Sequence, residues 1–413
     1  MEKYPVKSVQ ALSGVRYSYS KGAPVPRMKI GFCIPGMVIG GVESVFANTL
    51  DALHKYYPDI EIVVFPHAAL SEPYYIDWFN KRPYITVKPF YPLCERFENA
   101  QRYMRGFPLK QIRKIAFSLY KNFKRFQMAH SHELNSCDVI IDYVTGSSYK
   151  MLRHVTKPKA TWLHCSINYF NNNHMHVRMP YYDKIVCISD DCMNDFRTQY
   201  PQYSEKLTRI YNPVNCAEIG EYSKTAPKYN GKYFGCVSRM DDDKDIPTII
   251  SAFNKFWSEN DKPDCKMVFV GAGNIFDAMR NMANKSPAAK NIEFLGKVPG
   301  PFGYMRGAMA HILSSFNEGL PTVLIEAMAT QTLNISSNCK NGPHEILLDG
   351  AAGILFEPGN ADELADAMSA VWNKTVDVDA MAKNATKSLT RFEPKSIADE
   401  IVKLVNELKG EVI

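Results

Sequence analysis

The sequence has no continuous apolar run of about eighteen residues or more, which leaves no candidate for a bilayer-spanning helix. Its ten cysteines (33, 94, 137, 165, 187, 192, 216, 236, 265 and 339) form no C-x-x-C pair, so neither the usual spacing of a zinc site nor a disulfide framework is present. Single thiols inside apolar segments read instead as reduced, buried side chains of a cytoplasmic protein. Residues 1–27 mix lysine, arginine, tyrosine, proline and glycine without an apolar centre, so they do not read as a secretory signal. There is no internal repeat. Acidic residues are missing from the whole interval between Glu98 and Glu133. The bulk composition is ordinary: 46% hydrophobic and 22% charged residues, with a net charge of +6 over 413 residues. Such a chain is globular and too long for one core, so two domains are expected.

The fold proper is expected to start at Met28. Lys29-Ile30-Gly31-Phe32-Cys33-Ile34 has the pattern of a buried strand, and it runs through a turn ending in Gly40-Gly41 to a helix from about Val42. Strand, glycine-rich turn and helix together bring backbone amides close to a phosphate, although the spacing is not the dinucleotide fingerprint G-x-G-x-x-G. Further short apolar strands are predicted at 60–65, 84–87, 138–143, 160–163 and 184–188, the usual sequence of a parallel α/β sheet. His164 follows one of them directly, at the strand end where such sheets bind ligands; a structural histidine fits that place nearly as well. The other histidines lack a partner set for a metal.

The acid-free interval contains a helical pattern over 101–127 in which Arg102, Arg105, Lys110, Arg113, Lys114, Lys121, Lys124 and Arg125 alternate with Tyr103, Phe107, Phe117, Tyr120, Phe123 and Phe126. A basic, aromatic helix suits an anionic membrane surface or an anionic acceptor. A surface helix with its aromatics in the core would look similar. No nucleic-acid motif accompanies it, so nucleic acid is not an expected partner.

Composition turns polar around 211–230, which marks a domain boundary. A second α/β unit follows, with strands predicted at 233–237, 267–270, 291–296, 310–314 and 333–336, and helices at 246–257, 363–372 and 396–408. Within it lies Asn317-Glu318-Gly319-Leu320-Pro321-Thr322-Val323-Leu324-Ile325-Glu326. Thr322 onward reads as a helix, with Pro321 and Thr322 at its first positions. Its start offers free amides to an anion such as a diphosphate. Glu318 before that start and Glu326 one turn inside would then accept hydrogen bonds from neutral hydroxyls, so the ligand has phosphates in the middle and hydroxyls at both ends. That describes a sugar nucleotide. An ordinary amphipathic helix has the same spacing.

Taken in order, several motifs give the chain a more specific likeness. Gly40-Gly41-Val42-Glu43, Arg239-x4-Lys244, Gly271-Ala272-Gly273, Phe294-Leu295-Gly296-Lys297-Val298, Glu318-x7-Glu326 and Gly342-Pro343-His344-Glu345-Ile346 resemble the pattern of retaining glycosyltransferases of family 4, over about residues 28–408. The resemblance implies a GT-B fold, α/β, with two Rossmann-like domains facing a cleft. It divides the chain into an extension (1–27), an acceptor domain (28–215), a donor domain (216–395) and a C-terminal helix (396–413) that packs back on the acceptor domain.

The same resemblance implies roles. Arg239 and Lys244 hold the donor diphosphate, a planar fork and a point charge converging on oxyanions. Glu326 accepts from the ribose, and Glu318 from the transferred sugar. Gly319, Leu320, Pro321, Thr322 and Val323 face sugar and phosphate, with one amide missing at Pro321. Lys297 and Val298 flank the base, Gly40 and Gly41 admit the phosphates, and His164 approaches the reacting sugar. The implied enzyme is a hexosyltransferase that needs no metal and no cofactor beyond its nucleoside-diphosphate sugar, with UDP favoured over GDP-mannose. Its acceptor is a glycan or lipid-linked molecule of bacterial surface polysaccharide or lipopolysaccharide synthesis, reached from the cytoplasmic side of the membrane. Two alternatives stay open: a sugar-nucleotide epimerase of the same architecture, and an inactive homologue serving as a binding subunit. Asp241-Asp242-Asp243 contains a literal D-x-D, the metal signature of the other large glycosyltransferase fold. Between Arg239 and Lys244 a metal is redundant, so the run is read as a solvated acidic loop. Ser238 and Gln331 stand where the family commonly has glycine.

Overall fold

A computed structural model describes residues 28–37, 40–67, 70–90, 107–227 and 229–410. Two parallel sheets divide the chain. The first has seven strands in the order β3-β2-β1-β4-β5-β6-β7: β1 (Met28–Ile34), β2 (Ile60–Pro66), β3 (Ile85–Val87), β4 (Val139–Asp142), β5 (Lys159–Leu163), β6 (Lys184–Cys187) and β7 (Leu207–Arg209). The second has six, ordered β10-β9-β8-β11-β12-β13: β8 (Tyr233–Val237), β9 (Lys266–Val270), β10 (Ile292–Phe294), β11 (His311–Leu313), β12 (Asn334–Ser337) and β13 (Ile354–Phe356). Helices cover both faces, so the central strands are buried on both sides and mostly apolar, as β1 and β4 are, with Asp142 the buried polar end of β4. This is the two-domain Rossmann-like architecture that the sequence motifs imply.

The strands that sequence reasoning missed sit at the sheet edges. β7 reads Leu-Thr-Arg and β13 Ile-Leu-Phe, each three residues paired on one side only. An edge strand needs no long apolar run, so periodicity does not mark it. The polar stretch 211–230, read from composition as a domain boundary, contains the helix Cys216–Thr225, which was not anticipated. That helix packs on Phe302–Arg306 and on Thr322–Ala329. Most of its surface is wet and its apolar pattern correspondingly weak.

Strand order reverses between β1 and β4 in the first sheet and between β8 and β11 in the second. Crevices outside the carboxyl ends of the strands at such switch points are where doubly wound sheets bind ligands. The turn holding Gly40 and Gly41 follows β1. The loops holding Arg239, Lys244 and Glu318 follow β8 and β11.

The two domains touch. Helix Pro394–Lys409 returns to the first domain and packs on Gly41–Tyr56, burying Ile397, Ala398, Ile401, Leu404 and Val405 along one face. Tyr57 donates to Asp399 at 2.6 Å beside it. Elsewhere the Glu345 carboxylate accepts from the Asp190 amide at 3.0 and 3.1 Å and from the Tyr211 hydroxyl, while His344 Nε2 lies 2.8 Å from Asp191. Nine cysteines are described, all free, eight of them buried and Cys165 partly so. Cys94 and residues 1–27 lie outside the described residues. No helix among the described residues is long and apolar enough to cross a membrane.

Candidate functional site

The loop after β8 is shaped by the glycines of the loop after β9. The Ser238 amide donates to Val270 O at 3.1 Å, Met240 N to Ala272 O at 3.1 Å, and Ile275 N to Met240 O at 3.0 Å. A Cβ on Gly271, whose φ is +142°, would fall 1.8 Å from Ser238 O, and one on Gly273 2.2 Å from Met240 O. Glycine is required at both positions for this approach.

The far end of the same loop is laced to β11. Ser314 Oγ donates to the carbonyls of Lys244 at 2.7 Å and Asp245 at 2.9 Å, and Phe316 N donates to Asp243 O at 3.0 Å. These bonds bring Lys244 Nζ to 2.7 Å from Glu318 Oε1, with each side chain only 12% exposed. Ser315 Oγ donates to the same oxygen at 2.6 Å. Lys244 also has Asp243 at 3.5 Å.

Arg239 departs from its expected place. It pairs with Asp241 and is 68% exposed, so it does not converge with Lys244 in this structure. Asp241 is correspondingly not a solvated acid: it holds Arg239 and accepts from the Asn274 amide at 3.2 Å, and only Asp242 and Asp243 face solvent. A carboxylate two residues away on the same short loop competes for an arginine, and sequence spacing does not reveal that competition. Among the described residues no group of three or more His, Cys, Asp or Glu is placed to hold a metal ion.

Helix Thr322–Ala329 follows Glu318 with the expected register. Pro321 precedes it as the capping residue, so Thr322 is its first helical position. The Thr322 and Val323 amides, in the first turn, have no partner available within the helix. Leu320 and Pro321 are buried, and Gly342 packs against both. Glu326 lies one turn in, hydrogen-bonded by the Thr322 side chain; burial pushes its carboxyl up to about 7.

Across the cleft, His164 follows β5 with its ring 5.0 Å from that of Tyr143. Burial pushes its imidazole down to about 4, against the opposing hydrogen bond to the Tyr143 backbone, so the ring is neutral. Its Nε2 is buried with no partner among the described residues. A Cβ on Gly319 would lie 3.3 Å from His164 O and 3.4 Å from Ile188 Cδ1. Lys244, Glu318, Gly319 and the His164 backbone are therefore contiguous across the cleft.

Other predicted members stand apart. Lys297 is exposed after β10, two strands from β8, and Val298 packs into the cluster of Tyr233, Val268 and Val270. Gly40 caps helix Gly41–Tyr56, its carbonyl accepting from Ser44 N at 3.1 Å and Ser44 Oγ at 3.0 Å, and Gly41 faces open space. No hydrogen bond joins either glycine to the Lys244–Glu318 pair among the described residues. Ser315, Asn317 and Ser166 belong to the site and were not anticipated. Asn317 Nδ2 donates to Ser166 Oγ at 3.0 Å across the cleft. The available signal was their position, next to a candidate residue at a strand end.

Against known proteins, the family model for glycosyl transferases, group 1, matches residues 221–388. A Campylobacter jejuni protein, GalNAc-alpha-(1->4)-GalNAc-alpha-(1->3)-diNAcBac-PP-undecaprenol alpha-1,4-N-acetyl-D-galactosaminyltransferase, is 27% identical over 398 residues, covering 93% of this chain and 99% of that one. The lipopolysaccharide 1,6-galactosyltransferase of Salmonella typhimurium is 21% identical, covering 83% of this chain and 88% of its own. Among solved structures, Anabaena HepE in complex with UDP and glucose superposes with a TM-score of 0.69 at 17% identity, covering 92% of this chain and 100% of that one.

Proposed function

The chain is a group 1 glycosyltransferase of GT-B fold, and from that premise we propose that it moves a sugar, with retention, from a UDP-sugar to a lipid-linked glycan, without a metal. The observation that carries this reading is the Lys244–Glu318 pair, 2.7 Å apart beside the start of helix Thr322–Ala329. One cation, a helix start and a carboxylate are the parts needed to hold a diphosphate and the sugar beyond it. When the donor binds, Lys244 turns to the diphosphate and Glu318 is left to accept from sugar hydroxyls. Arg239, on an exposed loop, exchanges Asp241 for the same phosphates. Glu326 accepts from the ribose, and Lys297 and Val298 flank the base.

The reaction breaks the bond between the sugar C1 and the diphosphate oxygen. The acceptor hydroxyl attacks C1 from the same face, and its proton passes to the departing phosphate oxygen. Lys244, Arg239 and the Thr322 and Val323 amides offset charge as it grows on the leaving group, which favours the transition state over the bound donor. A neutral His164 lies near the sugar from the opposite domain and is available for a hydrogen bond through Nε2.

The acceptor side is supported by helix Phe107–Ala129. Ile115, Leu119, Phe123 and Phe126 are between 61% and 65% exposed, at spacings that place them on one helical stripe. Lys114, Lys121, Lys124 and Arg125 belong to the same helix. An exposed apolar stripe among bases suits the surface of an anionic bilayer, where a lipid-linked acceptor resides. Residues 101–106 of the basic segment lie outside the described residues. The name of the Campylobacter relative gives an undecaprenol-diphosphate-linked saccharide as its acceptor, and that of the Salmonella one gives lipopolysaccharide.

The test is UDP release from UDP-GalNAc, UDP-GlcNAc, UDP-glucose and UDP-galactose by the purified chain, with undecaprenyl-diphosphate-linked saccharides in anionic vesicles as acceptors. Turnover of at least one donor that stops in Glu318→Ala is expected. No turnover and no nucleotide binding with any donor would overturn the proposal.

A further inference from the structure

The hydrogen bond from Asn317 Nδ2 to Ser166 Oγ, 3.0 Å long, joins the two domains beside the proposed reacting centre. Asn317 immediately precedes Glu318, and its backbone forms a bridge with Lys340 that anchors it at the end of the second sheet. Ser166 stands two residues after His164 and is buried. Its hydroxyl also caps helix Ile167–Asn172, accepting from the Tyr169 amide at 3.4 Å. Both ends of the bond are thus fixed to rigid elements. Next to it the two loops approach closely: a Cβ on Gly319 would lie 3.3 Å from the His164 carbonyl oxygen.

Other cross-domain contacts sit elsewhere. Glu345 and His344 engage Asp190 and Asp191 at the start of helix Asp190–Gln199, and helix Pro394–Lys409 packs on Gly41–Tyr56. Those contacts hold the domains together without Asn317. What the Asn317 amide adds is local: it sets where Glu318 lies relative to His164.

We infer that Asn317 is a positioning residue for sugar transfer, its amide on Ser166 holding Glu318 and His164 in register across the cleft. The inference rests on the donor-pocket reading above. It predicts an effect on turnover greater than on nucleotide binding, because a misplaced pair costs alignment in the transition state and leaves the diphosphate contacts intact.

The experiment is a double-mutant cycle on the full chain, read as UDP release from whichever of UDP-GalNAc, UDP-GlcNAc, UDP-glucose and UDP-galactose the unmodified chain turns over. Asn317→Ala and Ser166→Ala are each expected to lower kcat about tenfold, with KM for the donor and Kd for UDP within twofold. The double variant should be no slower than the single ones, since both remove the same bond. Ser166→Thr keeps the hydroxyl and the cap and should restore most of the rate. Additive losses in the double variant, an unchanged kcat in Asn317→Ala, or an equal loss of UDP affinity would each overturn the positioning role while leaving the transferase reading in place. An unmodified chain that turns over none of the four would overturn both. Ser166→Ala also weakens a helix cap, so thermal unfolding of every variant is measured alongside; Asn317→Ala carries no such cost and decides the matter if Ser166→Ala fails to fold.

Discussion

Lys244 Nζ lies 2.7 Å from Glu318 Oε1 although the two residues are 74 positions apart, and both side chains are 12% exposed. The pair is held by backbone: Ser314 fixes the carbonyl end of Lys244, and Ser315 donates to the Glu318 oxygen. Each charge satisfies the other in this arrangement, and on the proposed reading a donor phosphate displaces the carboxylate from the ammonium.

Glu318→Gln keeps the shape and removes the charge. UDP release is expected to fall by about a hundredfold or more. Lys244 is left with only Asp243 nearby, so the ligand-free variant should also lose about 2 kcal/mol of stability, less than a fully buried pair would cost. Enzyme assay and thermal unfolding check the two parts separately. Unchanged turnover would remove Glu318 from the site.

Donor binding should depend on pH through Glu326. Burial pushes its carboxyl up to about 7, so at neutral pH a good part is protonated. Ribose hydroxyls donate to the charged form and lower its pKa on binding. UDP affinity should therefore rise as pH increases from about 5.5 to 8, by about tenfold, and Glu326→Gln should flatten the profile. For the ligand-free chain the opposite trend is expected. Its folded-state pKa is raised above the ordinary 4.5, so the stability that protonated Glu326 contributes is full below that value and lost as pH rises through about 7. Calorimetric titration of UDP and unfolding at several pH values follow both slopes.

Gly271→Ala should be far more costly than its half-buried loop position suggests. The added methyl would meet Ser238 O at 1.8 Å on a backbone with φ of +142°, and the Arg239 loop would have to move. A loss of about 3 kcal/mol is expected, together with weakened UDP binding. Gly41→Ala, facing open space, is the control for the stability loss alone and should change stability little.

Leu119→Glu with Phe123→Glu should leave the fold intact, because both side chains are more than 60% exposed. Co-sedimentation with anionic vesicles should be abolished, while turnover of a soluble acceptor analogue is retained. Binding by the unmodified helix should weaken with salt, since surface charge is screened over about 8–10 Å at physiological ionic strength. Vesicle binding indifferent to both changes would return Phe107–Ala129 to an ordinary surface helix.

The central strands and the helices with strong apolar faces were legible in the chain. β8 was anticipated at its observed bounds, and Ile246–Glu259 starts at the expected residue. Burial on both sheet faces forces long apolar runs, and those are local signals. β7, β13 and helix Cys216–Thr225 escaped for the converse reason: β7 and β13 are three-residue edge strands, too short to show a period even where, as in Ile-Leu-Phe, every residue is apolar, and the helix is mostly exposed.

The site divides in the same way. Sequence by itself determined which candidate groups stand at the strand ends and at the helix start: the acids Glu318 and Glu326, the cations Arg239 and Lys244, His164 after β5, and the glycines needed where loops touch. Each is a property of one residue and its immediate neighbours. The tertiary structure alone decided who pairs with whom. It set Lys244 on Glu318 and Arg239 on Asp241, made Asp241 a tether, and spanned the cleft with Asn317 and Ser166, 151 positions apart. Partner choice depends on distances set by two folded sheets and on which nearer charge competes, and neither is written in local spacing.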